Sequence, residues 1–368
     1  MGKKVNIVLC GGHAGSTAYA VIQEIKEMYP EWRIHFIGAR SAFEGKKVMT
    51  LESVVFPKIG VKYLPLFTGR LQRNFGINTI PSLVKIPFGF IHALFYLAKI
   101  KPKVILSFGG FVSVPLVFAA YLMSIPVAVH EQTSSAGLSN ILSSRFAKII
   151  FISRPTSKIY FPKSKVMLTG NPISREIVSI KPKKSIGGLP VILVTGGSRG
   201  SIFINDNLKV ILEKILISYS VIHQTGELQY SFFKSVRNKL EPKKRVRYEV
   251  HSLIPSWEWH NIIKKADIVV SRSGANIVSE ILTLKKPAVL IPIPNTYKDE
   301  QLKNALLAKR FGAAEILKQE ILTPQILYST INKIVKNWHK IVSRASRKNT
   351  FDHLAAGKVV KQLSNLIN

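Results

Sequence analysis

From Val104 to Val129 the chain carries no charged residue, and no other stretch limits the possible folds so strongly. The run is long enough to cross a bilayer. Gly109-Gly110, Pro115 and Pro126 divide it, however, into an apolar strand, a glycine turn, a helical stretch and a second strand. Strands that are apolar on both faces belong inside a parallel sheet covered by helices on each side. The segment therefore predicts the interior of an α/β domain rather than a membrane span.

The flanking sequence agrees. Val5–Leu9, Ile34–Ile37, Val104–Phe108, Val127–His130, Lys148–Ile152 and Val166–Thr169 read as strands, with helical patterns between them. At Lys181–Pro190 apolar periodicity gives way to Lys, Pro and Gly, the composition of a linker or exposed loop. A second series follows: Val191–Thr195, Ser220–Gln224, Val246–Val250, Ile268–Ser271 and Ala288–Pro292 as strands, separated by helices such as Ile202–Ile217 and Gln301–Phe311. Two doubly wound, Rossmann-like parallel-sheet domains are the simplest architecture. A last helical pattern, Asp352 to Ile367, follows after both are complete and is placed back across the first.

The 368 residues are 46% hydrophobic, enough for two cores. Lys and Arg number 53 against 20 Asp and Glu, a net charge of +33, which calls for anionic partners. The basic residues are spread along the chain rather than gathered in a tail, which disfavours a nucleic-acid role. Cys10 is the single cysteine, so neither a disulfide framework nor a cysteine metal site can be built, and a reducing compartment is expected. The segment after Met1 lacks the apolar core of a signal peptide.

In open parallel sheets, ligands bind beyond the C-terminal strand ends, so the loops after strands are where chemistry is sought. Gly11-Gly-His-Ala-Gly-Ser-Thr17, Gly109-Gly-Phe-Val-Ser113 and Gly196-Gly-Ser-Arg-Gly200 can each offer backbone N–H groups to a phosphate, and His130-Glu-Gln-Thr133 follows another strand. Anion loops in both domains imply one phosphorylated ligand in each. The sharpest pattern is Ile268 to Leu282: an apolar run, the turn Ser271-Arg-Ser-Gly274, then Ile277, Val278, Ile281 and Leu282 at helical spacing. The helix start suits a phosphate. Glu280, one turn inside on the face of Asn276, is placed to accept hydrogen bonds from a ribose diol. The pairing indicates a nucleotide.

Ser107-Phe-Gly-Gly-Phe-Val-Ser113, His130-Glu-Gln132, Gly170-Asn-Pro172, Gly196-Gly-Ser-Arg-Gly200, Arg272-Ser-Gly-Ala275 with Glu280, and Asp299-Glu-Gln301 with Asn304 stand in the order found in bacterial peptidoglycan glycosyltransferases of family 28. The chain resembles that family over nearly its whole length. The resemblance implies a GT-B fold, two such domains facing a central cleft. The acceptor and membrane-associating domain would be 1–168, with a C-terminal helix at 348–368, and the donor domain 169–347. It further implies GlcNAc transfer from UDP-GlcNAc to the C4 hydroxyl of MurNAc in undecaprenyl-pyrophosphoryl-MurNAc-pentapeptide (lipid I), giving lipid II. Carried over by motif, Gly197, Ser198 and Gly200 meet the donor phosphates, Leu253 and Ile254 read uracil through backbone groups, and Glu280 holds the ribose. Ser273, Gly274, Ala275, Asn276, Gln301 and Asn304 lie around the phosphates and sugar. Acceptor contacts fall on Gly11, Gly12, Gly15, Ser16, Gly109, Gly110, Phe111, His130, Gln132 and Thr133, with Arg175 assigned to a phosphate. The family's first loop is longer than Gly11-Gly-His13; Thr133 stands where Asn is common and Ile277 where Thr is.

Only Asp206, Asp267, Asp299 and Asp352 occur, so there is no Asp-x-Asp clamp for a divalent ion, and no cofactor is expected in the active site. Helix N-termini and basic residues would stabilise the departing diphosphate instead. Attack of the acceptor hydroxyl with inversion needs a base. His13 is the first candidate, since its ordinary pKa suits the task, and Glu131 the second. Both have plainer readings: His13 as a loop residue or a diphosphate ligand, His130 or Glu131 as loop braces. Arg272 can equally stabilise its strand end.

Between Arg70 and Lys103, apolar residues alternate with bases, as in a helix lying on an anionic bilayer. Phe75 to Ile86, with Phe75, Ile80, Leu83 and Lys85, is assigned to the membrane face and Phe88 to Leu97 to the core. A peripheral position on the cytoplasmic face of the cell membrane is expected. The rival readings are another GT-B transferase acting on a different lipid, a UDP-GlcNAc epimerase, and a nucleic-acid-binding protein, which leaves the glycine loops unexplained.

Overall fold

The computed structural model describes residues 5–12, 14–39, 41, 50–69 and 79–367, with no side-chain placement at 79–83. His13 and Phe75 lie outside the described residues, as do the side chains of Ile80 and Leu83. The chain divides into two compact units, Met1–Ser174 with Phe351–Asn368, and Arg175–Thr350. Their edges fall a few residues beyond those drawn from the resemblance.

The first unit holds a seven-stranded sheet of β1 (Asn6–Gly11), β2 (Arg33–Ala39), β3 (Lys62–Leu66), β4 (Val104–Ser107), β5 (Val127–Glu131), β6 (Ile149–Ile152) and β7 (Val166–Leu168), in the order β3-β2-β1-β4-β5-β6-β7. The second holds six: β8 (Val191–Thr195), β9 (Ser220–Gln224), β10 (Tyr248–His251), β11 (Ile268–Ser271), β12 (Ala288–Leu290) and β13 (Ala314–Ile316), ordered β10-β9-β8-β11-β12-β13. All pairings are parallel. Each sheet reverses its winding once, between β1 and β4 and between β8 and β11, and a reversal of this kind opens a crevice above the strand ends.

Burial explains which strands the sequence announces. Every residue of β4, β5 and β11 is buried, and these are the apolar runs. The edge strands β3 and β13, absent from the sequence reading, are short and partly exposed, and β3 carries Pro65. The charge-free stretch resolves into β4, the helix Ser113–Leu122 and β5. Among the described residues no helix is long and apolar enough to cross a membrane. Lys181–Pro190 is an irregular loop inside the second unit rather than the link between units. It is fastened by Lys183, whose Nζ lies 2.7 Å from Asp267 Oδ1.

The chain returns to the first unit through Asp352. Arg154 grips its carboxylate with both guanidinium nitrogens, Nη1 to Oδ1 and Nη2 to Oδ2 each at 2.7 Å, and the Asn171 N–H donates to Oδ1 at 2.9 Å. Asp352 is buried. The helix that follows, Ala355–Ile367, packs its apolar face on the helix Gly15–Met28.

Candidate functional site

At the first switch point, the loops after β1 and β4 are pressed together. The Gly12 N–H donates to the Gly109 carbonyl at 3.0 Å. Gly109 and Gly110 take φ of +83° and +85°, and a Cβ on Gly110 would stand 2.7 Å from the Gly12 nitrogen. Only glycine fits there. The Gly110 N–H donates to Ser139 Oγ at 2.9 Å and the Ser113 hydroxyl to the Gly109 carbonyl at 2.7 Å. Phe111 packs over Gly12.

Several residues expected to touch the acceptor also hold this arrangement together. The head of the helix Gly15–Met28, expected as a phosphate cradle through Gly15 and Ser16, is capped by the chain's own Glu52, whose Oε1 accepts from Ala14 N–H at 2.8 Å and whose carboxylate also receives the Gly15 N–H. Burial pushes the Glu52 pKa up, against those hydrogen bonds. Glu131, the second candidate base, makes the contacts of a loop brace. Its Oε1 accepts from the Thr133 N–H (3.0 Å) and hydroxyl (2.7 Å), its Oε2 from Gly137 N–H and Asn140 Nδ2 (both 2.9 Å). A buried carboxylate with four donors has no lone pair aimed at a substrate proton. Thr133, in place of the family's Asn, supplies two of those donors. His130 is fully buried and its Nε2 donates to the Gly170 carbonyl at 3.3 Å. Desolvation lowers its pKa to about 4, which favours the neutral imidazole. Gln132 accepts from Thr17 at 2.9 Å, tying its loop to the first helix.

At the second switch point the turn after β8 spans Gly196–Gly200, with Gly197 at φ +82° and Gly200 at φ +73°. Gly200 lies so close to the Thr225 carbonyl that any side chain would collide. Thr195 Oγ1 accepts the Gly197 N–H at 2.9 Å, and the Gly197 carbonyl accepts Gly200 N–H at 2.9 Å. Ser198 stands exposed at the tip, its N–H without an acceptor among the described residues. Ser201 caps the next helix, Ile202–Ser218.

After β11, Gly274 leads into the helix Ala275–Leu284 in extended backbone, with no side-chain cap at that position. Glu280 follows one turn later, buried, with its Oε2 accepting from Trp259 Nε1 at 2.7 Å. Desolvation raises its pKa to about 8, partly offset by that hydrogen bond. Asn304, expected beside the sugar, is buried beneath the turn and donates to the Ser273 carbonyl at 3.2 Å. It supports the loop from below. Ser273 Oγ reaches the Gln301 carbonyl (2.8 Å), and Gln301 Oε1 accepts the Ile293 N–H (3.0 Å). Asn295, Lys298 and Asp299 all adopt left-handed backbone, at φ +55°, +52° and +52°. Such strain is retained where surrounding contacts fix a loop. Ile254, of the expected base-reading pair Leu253-Ile254, is buried just before the helix Ser256–Lys265.

Arg272 makes the hydrogen bonds of a strand-end support. Nε donates to Ser201 Oγ (3.1 Å) and Nη1 to the Ile291 carbonyl (3.1 Å) and Gln319 Oε1 (3.0 Å), joining the segments after β8, β11, β12 and β13. With Arg199, Gly196 and Gly200 it lines a cavity of about 320 Å³. Arg175 is exposed at the first residue of the second unit. Glu52, Asn140 and Trp259 escaped the sequence reading. Each acts on a partner distant in sequence or hidden by folding, and no local spacing signals it.

Two parallel Rossmann units, each with glycine turns at its switch point, make up a GT-B fold. The N-terminal domain of glycosyltransferase family 28 matches residues 8–152 and its C-terminal domain residues 191–360. The chain belongs to this family. It is 34% identical, over 93% of its length and 94% of the relative's, to the UDP-N-acetylglucosamine--N-acetylmuramyl-(pentapeptide) pyrophosphoryl-undecaprenol N-acetylglucosamine transferase of Clostridium kluyveri. The enzyme of the same name from Bacillus cytotoxicus is 31% identical over 90% of this chain and 91% of its own. The crystal structure of MurG from Acinetobacter baumannii has the same fold, with a TM-score of 0.69 at 22% identity, covering 98% of this chain and 99% of that one. The fold is shared more widely: a UDP-GlcNAc 2-epimerase from Neisseria meningitidis has a TM-score of 0.63 at 15% identity, covering 98% of this chain and 100% of that one.

Proposed function

We propose that the protein transfers GlcNAc from UDP-GlcNAc to the MurNAc C4 hydroxyl of undecaprenyl-pyrophosphoryl-MurNAc-pentapeptide, releasing UDP. The observation that carries this reading is the second switch point, where adjacent strands β8 and β11 of one unit lead into the exposed Ser198 turn and into the helix that carries the buried Glu280. The relatives' names supply the sugar and the acceptor. Amides at Ser198, Ala275 and Asn276 take the donor diphosphate, Glu280 takes the ribose, Leu253 and Ile254 read the uracil, and Gln301 faces the sugar. The same helix dipole that binds the diphosphate stabilises its developing charge, so that departure of UDP proceeds without a metal. The C4 oxygen forms its bond to the anomeric carbon from the face opposite the leaving UDP, with inversion, and its proton passes to a base. With the Glu131 lone pairs filled, His13 takes that role. Arg175 is proposed as a phosphate ligand.

The acceptor's lipid requires a membrane, and the helix Thr79–Ile100 offers a surface for one. Val84, Phe88, Ile91 and Phe95 are 58–62% exposed along one stripe, while Ala93, Leu97 and Ile100 are buried. Lys99 lies over the Phe95 ring and Lys85 on an adjoining turn. This revises the sequence reading, in which Phe88 to Leu97 was core: the helix buries one face and shows the other. The exposed stripe with its bases is proposed to rest on the anionic cytoplasmic face of the cell membrane.

Labelled UDP-GlcNAc incubated with and without the lipid acceptor tests the reaction. Release of UDP that depends on acceptor and forms a disaccharide lipid is expected; sugar isomerisation without acceptor, or no turnover, overturns it. His13→Ala is expected to reduce kcat by about a hundredfold or more; nearly full turnover would remove it as the base.

A further inference from the structure

Trp259 lies in the first turns of the helix Ser256–Lys265, which begins directly after the Leu253-Ile254 loop, and its indole crosses to the neighbouring helix Ala275–Leu284 to meet Glu280 Oε2 at 2.7 Å. Among the described residues this indole is the sole donor to the carboxylate. Trp259 is half-buried and Glu280 is 6% exposed. An indole N–H can donate but cannot accept. It therefore fixes one carboxylate oxygen and leaves the other, with the spare lone pair on the first, for hydroxyl donors. The two residues join the element expected to read the base to the one expected to hold the ribose.

We propose that Trp259 is a positioning residue of the donor site, orienting the Glu280 carboxylate so that the ribose 2′- and 3′-hydroxyls find its free lone pairs. The proposal rests on the reading of Glu280 as the ribose ligand and adds what aims it. The indole hydrogen bond also favours the charged carboxylate in a site where burial favours the neutral acid. Loss of the indole thus affects both the direction and the charge of the acceptor group, while the phosphate-binding turn after β8 is untouched.

The test compares calorimetric binding of UDP and of 2′-deoxy-UDP to the wild-type protein, Trp259→Phe and Glu280→Ala. Phenylalanine keeps the ring packing and removes the donor. The expected result is roughly tenfold weaker UDP binding by Trp259→Phe. The affinity penalty for the missing 2′-hydroxyl, present in the wild type, should shrink in the variant, and donor KM should rise with kcat and acceptor KM unchanged. A purely structural Trp259 would not alter the 2′-hydroxyl penalty. If Trp259→Phe does not fold, Trp259→Met, a flexible apolar filler, takes its place in the same comparison. Unchanged UDP affinity or an undiminished 2′-hydroxyl penalty in the tryptophan variant, with Glu280→Ala weakened, overturns the proposal and leaves the ribose reading standing. Full UDP affinity in Glu280→Ala overturns both.

Discussion

At the residue scale, two carboxylates with the same formal charge have been given opposite tasks by their neighbours. Glu131 is saturated by four donors, whereas Glu280 has one. Glu131→Gln would turn an amide N–H₂ towards donors that now meet an oxygen, and is expected to lower stability by roughly 2 kcal/mol, read in a denaturant titration. Glu280 makes a prediction in pH. Its folded pKa, about 8, lies above the ordinary value of 4.5, so the unfolded chain releases this proton first as pH rises. Through that window the ligand-free protein binds more protons than the unfolded chain, and its stability falls with rising pH. Glu280→Gln should flatten this part of the profile. His130, lowered to about 4, acts at the other end: below its ordinary pKa of 6.5 the unfolded chain takes the proton first, so stability falls on acidification towards pH 4. The strand, turn and helix around Glu280 were legible because they are contiguous in the sequence. The task of Glu131 was not, since Gly137 and Asn140 reach it only after the strand has turned into the next helix.

At the level of elements, the glycine turns show what a sequence can and cannot convey. Gly109-Gly110 and Gly196–Gly200 were recognisable as turns after apolar strands, yet their amides meet very different fates. The amides of the first pair donate to the hydroxyls of Ser107 and Ser139, while the second turn exposes Ser198. Gly110→Ala adds a Cβ 2.7 Å from the Gly12 nitrogen at a φ of +85°. It is expected to reduce acceptor turnover severely and to destabilise by ~1–3 kcal/mol, with UDP affinity intact by calorimetry. The helix Thr79–Ile100 gives the opposite lesson: its composition revealed an amphipathic, basic segment, but which face was buried depended on packing against the helix Ser113–Leu122. Phe88→Glu with Phe95→Glu should abolish sedimentation with anionic vesicles while leaving the melting temperature nearly unchanged, because both side chains are exposed. Retained vesicle binding would remove this stripe as the contact surface.

For the whole molecule, the two-domain architecture followed from the alternation of buried strands and helices, and the switch points from neither composition nor motif but from strand order. The boundaries were less visible. Lys181–Pro190 looks like a linker, yet the chain passes into the second unit before it and leaves through Thr350. What closes the first unit is Asp352, clasped by Arg154 and the Asn171 amide. Asp352→Asn leaves a guanidinium without its charge partner and is expected to cost about 3 kcal/mol, seen as a lowered melting transition.

That clasp also orders events in time. During synthesis the second unit, Arg175–Thr350, has all its residues before the stretch that completes the first has been made. Domains fold as units while the chain emerges. The seven-stranded sheet, although begun earliest, must wait for Asp352 and the helix Ala355–Ile367 to leave the ribosome. Its helix Gly15–Met28 keeps an apolar face open until then, so the nascent chain is most exposed to aggregation in its oldest part.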